Sequence, residues 1–285
     1  MRDSIRRYGK WALVTGASTG IGFEFARQLA GAGMNLILVA RRADLLATRA
    51  EQLAREFNVE AIPLASDLTS EHAVEHLFDD LRDREISLVV MNAGVETTGQ
   101  FTQVPLDQQI ALQRLNIETP MRMAHLFGKA MAERRRGALI FVSSLFGYQG
   151  VPLVANYAAS KAYVLSLGEA LQIEFKPFGV DVLVVSPGLT DTDMPAKMPI
   201  DFGKVPVTRS KPSDVVRIAL NALGKKATVV PGLLNKFYAW QNRLIPRSWP
   251  VKLFGFLLKN AMHEDGRAHR LHNVGSGIAQ PFKFK

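Results

Sequence analysis

Tyr157 and Lys161 are the two residues of this sequence whose types and spacing most directly suggest chemistry. They lie four apart in NYAASKAYVLSLGEALQIEF, where the apolar spacing predicts a helix, so both side chains share one helix face. An ammonium beside a phenol favours the phenolate and lowers its pKa from about 10, which suits a proton donor to a carbonyl oxygen. Only one of the five tyrosines has a lysine at this spacing. Because such pairs also occur on ordinary surface helices, the rest of the chain decides what this one means.

Two more polar residues, Ser144 and Asn116, lie where the predicted elements change direction. Ser144 follows a strand predicted over 138–143, thirteen residues before Tyr157. Asn116 lies in a long helix predicted over 106–136, four residues before Pro120. Proline has no N–H, so the Asn116 carbonyl loses its helical partner and the helix should bend there. The free carbonyl could hold a water as a proton relay; a purely structural kink is the alternative.

A glycine-rich turn near the start of the chain predicts a phosphate-binding unit. It separates the apolar strand Trp11–Thr15 from a helix predicted over 23–32, and its residues are Gly16, Ala17, Ser18, Thr19, Gly20, Ile21 and Gly22. Gly16 permits the tight turn, Gly20 lets a phosphate approach the backbone, and Gly22 lets the helix pack on the strand. The spacing G-x-x-x-G-x-G differs from G-x-G-x-x-G, so a glycine loop with only a packing role stays an alternative.

The end of the second predicted strand, Asn35–Ala40, indicates which nucleotide would bind. In a dinucleotide fold an acidic residue here would bind the 2′-hydroxyl of NAD. In this chain Arg41 and Arg42 follow Ala40 instead. Two guanidinium groups suit a 2′-phosphate, which favours NADP(H). The alternative is a pair of arginines that merely opens the next helix.

Strands and helices alternate along most of the chain, which predicts an α/β fold with a doubly wound parallel sheet and helices on both faces. The further predicted strands are 59–64, 86–91, 138–143, 179–186 and 227–230, and the further helices are 42–57, 70–83 and 212–223. In such a sheet, ligands bind beyond the carboxyl ends of the strands. The glycine turn, Arg41, Asp67 and Asn92 all fall there.

Composition and charge exclude several classes of protein. The chain has no cysteine, which excludes disulfides and thiolate nucleophiles, and its 285 residues can bury a large core. We assign no metal: His72, Glu75 and His76 match H-x-x-E-H, but their helix is strongly polar and no third ligand is evident. No apolar run is long enough for a signal peptide core or a membrane span, so we expect a cytoplasmic protein.

The matching motifs, taken together, resemble the short-chain dehydrogenase/reductase family over about residues 9–230. The motifs are Thr15-Gly16-Ala17-Ser18-Thr19-Gly20-Ile21-Gly22, Asp67-Leu68, Asn92-Ala93-Gly94, Asn116, Ser144, Tyr157-Ala158-Ala159-Ser160-Lys161 and Pro187-Gly188-Leu189 with Thr192. The resemblance implies a Rossmann-like domain that binds NADP(H) and an oxidoreductase that transfers a hydride to or from a carbonyl or secondary alcohol. It also implies a homo-oligomer, either a dimer or a tetramer.

The resemblance implies a role for each matching residue. Tyr157 would be the acid/base, and Lys161 would lower its pKa and hold the nicotinamide ribose. Ser144 would bind the substrate oxygen and Asn116 would position the relay water. The implied cofactor contacts are Asp67 and Leu68 to adenine, Asn92, Ala93 and Gly94 to the adenosine side, and Pro187, Gly188 and Thr192 to the carboxamide. The contrasting hypothesis is an NADP-binding sensor or scaffold without turnover.

The predicted pocket segments are apolar and indicate an apolar substrate, such as a ketoacyl group, a steroid or a lipid-like ketone, in lipid metabolism. These segments are 145–153 and 189–198, with Phe146, Tyr148, Val151, Pro152, Met194 and Met198. The sequence does not choose among the substrates.

Beyond the catalytic domain predicted over 1–230, residues 231–285 form an aromatic and basic extension. The formal net charge of +9 is concentrated there, because residues 197–285 hold 16 Lys and Arg against 4 Asp and Glu, a balance of +12. We predict two short helices separated by Pro246 and Pro250, folded as a lid that also touches a membrane surface or an acyl carrier. Packing in the core is the alternative. No nucleic-acid motif is present, so we expect no nucleic-acid partner.

Overall fold

A seven-stranded parallel sheet forms the centre of the computed structural model, which describes residues 2–241 and 244–262. The strands are β1 (Trp11–Thr15), β2 (Asn35–Ala40), β3 (Ala61–Ala65), β4 (Ile86–Met91), β5 (Gly137–Val142), β6 (Val180–Val185) and β7 (Thr228–Val229). Their order is β3-β2-β1-β4-β5-β6-β7. The predicted doubly wound sheet is confirmed. The order reverses between β1 and β4, so a crevice forms beyond their carboxyl ends.

Helices cover both faces of the sheet. They are α1 (Arg2–Arg6), α2 (Gly20–Gly31), α3 (Ala43–Phe57), α4 (Ala73–Asp80), α5 (Leu106–Gln113), α6 (Thr119–Glu133), α7 (Ala155–Phe175), α8 (Asp193–Lys197), α9 (Pro212–Ala222), α10 (Leu233–Gln241) and α11 (Ser248–Ala261). Because both faces are covered, β4 and β5 are buried along their whole lengths, as expected for parallel strands rich in Val, Ile and Leu.

Two predicted helix boundaries were wrong for local reasons. The helix predicted over 70–83 begins only at Ala73, because His72 adopts a left-handed φ of 56° before the first turn. The helix predicted over 23–32 begins earlier, at Gly20, so the last part of the glycine turn is already helical.

The helix predicted over 106–136 is interrupted by a wider turn. Residues Arg114–Glu118 form a π-helix between α5 and α6, in which the Thr119 N–H donates to the Arg114 carbonyl. Pro120 lies in the first turn of α6 and has no N–H for the Asn116 carbonyl, which is the position where a regular α-helix would break. The predicted irregularity is present, and its form is a π turn that buries Asn116.

A third hydrophobic cluster joins the C-terminal helices to the rest of the chain. Two clusters fill the two faces of the sheet, and the third contains Val151, Tyr157, Met198, Phe254 and Leu258. Helix α11 therefore packs in the same cluster as the tyrosine of α7. Helix α11 is buried along one face only. The lid role of the extension stays a prediction.

The two prolines of the extension have different effects. Pro246 lies between α10 and α11, as predicted. Pro250 does not separate helices; it lies in the first turn of α11, where a missing N–H breaks no helical hydrogen bond. Arg243 and residues 263–285 lie outside the described residues. Among the helices that the structure describes, none has the length and apolar character needed to cross a bilayer.

Candidate active site

A cavity of about 450 Å³ lies beyond the carboxyl ends of the strands. Ser144, Tyr157 and Lys161 line it together with every predicted cofactor residue except Gly22. Those residues are Gly16, Ser18, Thr19, Gly20, Ile21, Arg41, Arg42, Asp67, Leu68, Asn92, Ala93, Gly94, Pro187, Gly188 and Thr192. They follow five different strands, and Ser144 follows a sixth, β5; a parallel sheet brings these strand ends to one edge. Asn116 and Gly22 lie behind this lining.

The glycine turn has the shape that a phosphate requires. Gly16 and Gly20 have φ values of +65° and +60°, which suit glycine. A Cβ on Gly22 would lie 2.2 Å from the Gly16 carbonyl oxygen, so Gly22 lets α2 pack directly on the turn. The Thr19 side chain does not cap α2, and the first N–H groups of the helix are free to bind an anion. The turn fits a dinucleotide pyrophosphate.

Arg42 and Arg41 line the end of the cavity nearest β2 but have different partners. Arg42 donates to the side chains of Ser18 and Thr19 at 3.0 and 3.2 Å, so its guanidinium is tied to the glycine turn. Arg41 lies near Asp67, whose pKa is lowered mainly by hydrogen bonds from Thr69 and further by the Arg41 charge. The two cations make a positively charged corner that fits a 2′-phosphate.

Hydrogen bonds across the sheet position the Asn92 loop. The Thr15 hydroxyl accepts from the N–H groups of Asn92 and Ala93, each at 3.0 Å. The Asn92 side chain in turn donates to the Thr15 carbonyl at 3.0 Å. These bonds connect the ends of β1 and β4 at the point where the strand order reverses, and they hold the Asn92 loop against the glycine turn.

Lys161 is held by backbone rather than by the phenol of Tyr157. Its Nζ donates to the Val142 carbonyl at 2.9 Å and lies 5.7 Å from the centre of the Tyr157 ring. The Ser143 hydroxyl donates to the Lys161 carbonyl at 2.7 Å, which ties α7 to the end of β5. The Ser144 hydroxyl accepts from the Phe146 N–H at 3.2 Å, which holds this oxygen at the cavity wall.

The expected lowering of the Tyr157 pKa by Lys161 is wrong for this structure. Burial raises the pKa of Tyr157, a hydrogen bond with Ser144 opposes this in part, and the charge of Glu96 makes a smaller contribution that also raises it, so that the pKa lies at about 12. Burial also lowers the pKa of Lys161 to about 8. Desolvation dominates both groups because each charged form leaves water. At neutral pH Tyr157 keeps its proton and Lys161 is largely an ammonium.

Asn116 is fixed by its side chain. The Val95 N–H donates to its Oδ1 at 3.0 Å, and its Nδ2 donates to the Val95 carbonyl at 2.8 Å and to Ser160 Oγ at 3.1 Å. A Cβ on Gly94 would lie 3.1 Å from Asn116 Oδ1 and 3.4 Å from Lys161 Nζ, so the chain passes closely between the two. The relay role of Asn116 stays a prediction.

The substrate end of the cavity differs in part from the predicted one. Phe146, Met194 and Met198 line it as predicted, but Val151 is buried in the third hydrophobic cluster and Tyr148 lines a separate surface cavity. Pro152 packs near Gly255 of α11 and does not line the cavity.

Four residues outside the predicted site set shape this site: Phe254 and Leu258, which belong to the extension predicted as a lid, and Asn235 and Glu96, which the sequence analysis missed. Phe254 and Leu258 line the cavity from α11, and their i,i+4 spacing was a visible signal of a helix face. Buried Asn235 packs against Gly188, where a Cβ would lie 2.5 Å from its Nδ2, and donates to the Pro231 carbonyl at 2.7 Å. Nothing in the sequence distinguishes Asn235 or Glu96 from ordinary polar residues.

Comparisons with known proteins support the same interpretation. A family profile described as short chain dehydrogenase matches residues 10–201. The chain is 33% identical over 242 residues to a 7beta-hydroxysteroid dehydrogenase from Clostridium sardiniense, covering 85% of this chain and 93% of that protein. It is 33% identical over 197 residues to the Homo sapiens inactive hydroxysteroid dehydrogenase-like protein 1, covering 68% and 60%. A short-chain dehydrogenase from Sphingobium yanoikuyae solved in complex with NADPH superposes with a TM-score of 0.74 at 26% identity, over 94% of this chain and 99% of that one.

Proposed function

This chain belongs to the short-chain dehydrogenase family, and from that premise we propose that it interconverts a bulky apolar ketone and its secondary alcohol, with Tyr157 as the acid/base. It is an oxidoreductase of CH–OH and C=O groups that uses NADP(H). The observation that carries the proposal is that Ser144, Tyr157 and Lys161 line one cavity with the glycine turn and the arginine corner. When bound, NADP(H) supplies or accepts the hydride.

The side chains of this site support proton transfer to a carbonyl oxygen. Tyr157 is protonated at neutral pH because its pKa lies at about 12, so it can donate a proton to an oxygen that gains negative charge. Ser144 can donate a second hydrogen bond to that oxygen. The Lys161 ammonium adds positive charge near the phenol and stabilises the negative charge that remains on Tyr157 after it has donated its proton. These protonation states favour reduction of the ketone near neutral pH.

Apolar side chains at the substrate end support a large apolar substrate. Met198, Val205, Val207, Phe254 and Leu258 line it, and the whole cavity of about 450 Å³ is within the range of small-molecule sites. Two of the relatives are named 7beta-hydroxysteroid dehydrogenase, and steroids are large apolar molecules. A steroid-like or other polycyclic ketone is therefore the first substrate class to test.

The direct test is oxidation of NADPH by the purified protein in the presence of apolar ketones of increasing size. We expect turnover to increase from small ketones to polycyclic ones. The alternative, an NADP-binding sensor or scaffold, predicts NADPH binding without turnover of any ketone. One relative is named an inactive hydroxysteroid dehydrogenase-like protein, which is the reason to test this alternative. Turnover of any ketone would exclude the sensor or scaffold.

The arginine corner gives the first prediction, which concerns cofactor choice. Replacing Arg41 and Arg42 together by Ala should weaken NADPH binding by about tenfold or more, because each charge-assisted hydrogen bond contributes about 1.5–3 kcal/mol. NADH carries no 2′-phosphate, so its affinity should change little. Titration of both cofactors against the double variant measures the difference.

Exposed Arg55 on α3 supplies the control, because Arg55→Ala removes one cation away from the cavity. That variant should bind both cofactors like the wild type. Equal loss of NADPH and NADH affinity in the double variant would mean that the arginines only hold the glycine turn, since Arg42 also contacts Ser18 and Thr19.

Exposed apolar side chains on α6 and α7 support a homo-oligomer. Met121 on α6 and Tyr163 and Ile173 on α7 are exposed. Association of two copies through these helices would remove this surface from water. We infer that the protein forms a dimer or a tetramer in this way.

The C-terminal helices support peripheral contact with a membrane from a cytoplasmic location. Each carries an exposed stripe, spaced by three or four residues, that combines large apolar side chains with lysines: Leu233, Lys236, Phe237 and Trp240 on α10, and Trp249, Lys252, Leu253, Phe256 and Lys259 on α11. The sequence has no acidic residue between Lys236 and Met262. Aromatic and aliphatic groups among lysines suit a bilayer interface with anionic lipids. The opposite face of α11 lines the cavity, so an apolar substrate would have a short path from the bilayer to the site.

The second prediction tests this contact. The wild type should sediment with phosphatidylglycerol vesicles at low salt, and less with phosphatidylcholine vesicles. Trp249→Ser with Phe256→Ser should abolish this binding, and Lys252→Gln with Lys259→Gln should weaken it by about tenfold or more, at about 1 kcal/mol per lysine. Leu106→Ser on exposed α5 is the control and should bind normally. Absence of vesicle binding by the wild type would contradict the proposal, and binding to an acidic acyl carrier instead would assign the surface to that partner.

A further inference from the structure

Glu96 places a carboxylate in the cavity wall beside the groups that carry the reaction. It lines the same cavity as Ser144 and Tyr157, and it is close enough for its charge to act on the Tyr157 phenol. The backbone on either side is fixed, because the Val95 N–H donates to Asn116 Oδ1 at 3.0 Å and the Gly99 N–H donates to the Leu153 carbonyl at 2.7 Å. The loop that carries Glu96 is therefore held between the π turn at Asn116 and the segment that precedes α7.

The carboxylate of Glu96 is only partly satisfied by the protein. Thr98 Oγ1 donates to Glu96 Oε2 at 2.5 Å, and no cation pairs with Glu96 among the described residues. Lys161, the ammonium beside Tyr157, donates to the Val142 carbonyl. A carboxylate has two oxygens with about four acceptor sites, and burial without donors is unfavourable. Burial raises the pKa of Glu96, and the Thr98 bond has the smaller, opposite effect.

The other charged groups of the cavity lie at its cofactor end or on α8. Arg41, Arg42 and Asp67 line the corner beyond β2 and β3, and Asp193 and Lys197 belong to α8. None of them forms an ion pair with Glu96. Glu96 is thus an acceptor in the lining of the cavity that also holds Ser144 and Tyr157, and no cation pairs with it among the described residues.

We propose that Glu96 is a substrate-recognition residue, whose carboxylate accepts a hydrogen bond from a hydroxyl group that the apolar substrate carries away from its reacting carbonyl. This inference rests on the proposed ketone reduction and narrows its substrate class to hydroxylated apolar ketones. A substrate carboxylate near Glu96 is disfavoured by repulsion between like charges.

Three matched ligands test the proposal: a steroid ketone, the same ketone with a distal hydroxyl, and the same ketone with a distal carboxylate. The variants are Glu96→Leu, which removes charge and acceptor, and Glu96→Gln, which removes only charge. Glu60→Gln is the control, because Glu60 is exposed and precedes β3 at the opposite edge of the sheet. For each protein we would measure kcat/KM and, by equilibrium titration, Kd for all three ligands.

In the wild type the hydroxylated ketone should be preferred over the unsubstituted one. Glu96→Leu should reduce this preference by about tenfold or more, the usual effect when a hydrogen bond to a charged group is lost. Glu96→Gln should improve binding of the carboxylate ligand relative to the unsubstituted one. Glu60→Gln should change neither ratio.

A hydroxyl preference that persists in Glu96→Leu, or equal loss for all three ligands, would overturn the proposal and leave Glu96 a structural partner of Thr98. If Glu96→Leu does not fold, the response of Glu96→Gln to the carboxylate ligand decides the matter. The titrations also separate the two proposals. If the wild type reduces no ketone but its hydroxyl preference in binding depends on Glu96, the recognition role stands and the catalytic function fails.

Discussion

Tyr157→Phe should lower kcat for ketone reduction by about 10²–10⁴-fold, because it removes the transferable proton and leaves the ring. NADPH affinity should stay within a few fold of the wild type, since the glycine turn and the arginine corner are unchanged. The variant should also fold normally, because the ring of Tyr157 is buried in the third hydrophobic cluster and phenylalanine preserves that packing. Steady-state kinetics and a cofactor titration measure these effects.

Tyr163→Phe is the matched control on the same helix. Tyr163 is exposed on α7 and does not line the cavity, so the variant should keep the activity of the wild type. Turnover by Tyr157→Phe at the wild-type rate would contradict the assignment of Tyr157 as the acid. Tyr148 could not take over this role, because it lines the separate surface cavity.

Lys161→Met should lower turnover by at least about 10²-fold, because it removes the only ammonium next to Tyr157 among the described residues. The same change should increase the stability of the free protein at neutral pH. Burial lowers the pKa of Lys161 from its model-compound value of 10.5 to about 8, and this shift corresponds to a penalty of about 3 kcal/mol for the charged form. Loss of the charge-assisted bond to the Val142 carbonyl offsets about 1.5–3 kcal/mol of the gain, so the net increase should be small.

The stability difference between wild type and Lys161→Met should depend on pH in one direction. The folded pKa lies below the unfolded one, so the penalty is fully present below about pH 8 and disappears as pH rises toward 10.5. The advantage of the variant should therefore shrink between about pH 7 and pH 10, as measured by denaturant unfolding. Tyr157 is present in both proteins, and its own titration cancels in the comparison.

The control is Lys129→Met, which removes an exposed lysine on α6. The difference in unfolding free energy between this variant and the wild type should lack the trend expected for Lys161→Met. A Lys161→Met variant less stable than the wild type at neutral pH would show that the bond to Val142 outweighs desolvation. Full activity of Lys161→Met would show that Lys161 is not required for catalysis.

The sequence by itself determined the fold and the edge of the sheet where the site lies. Alternating apolar strands and amphipathic helices predicted the doubly wound sheet, because parallel strands need helical crossovers and burial on both faces. Glycines at positions 16, 20 and 22 and the arginines after β2 were visible because phosphate binding requires particular residue types at particular spacings. Parallel strands place these separate motifs at one edge, and the structure brings them into one cavity.

Only the tertiary structure decided the electrostatics and the walls of that cavity. An i,i+4 spacing places Tyr157 and Lys161 on one helix face, but it does not say that the Lys161 ammonium bonds to the Val142 carbonyl or that both groups leave water. Glu96 became a cavity residue because distant Asn116 and Leu153 hold its loop, and Phe254 and Leu258 closed the substrate end from a helix nearly a hundred residues after α7 begins. A pKa and a binding surface depend on desolvation and on contacts between residues far apart in the chain, and local sequence patterns do not encode either quantity.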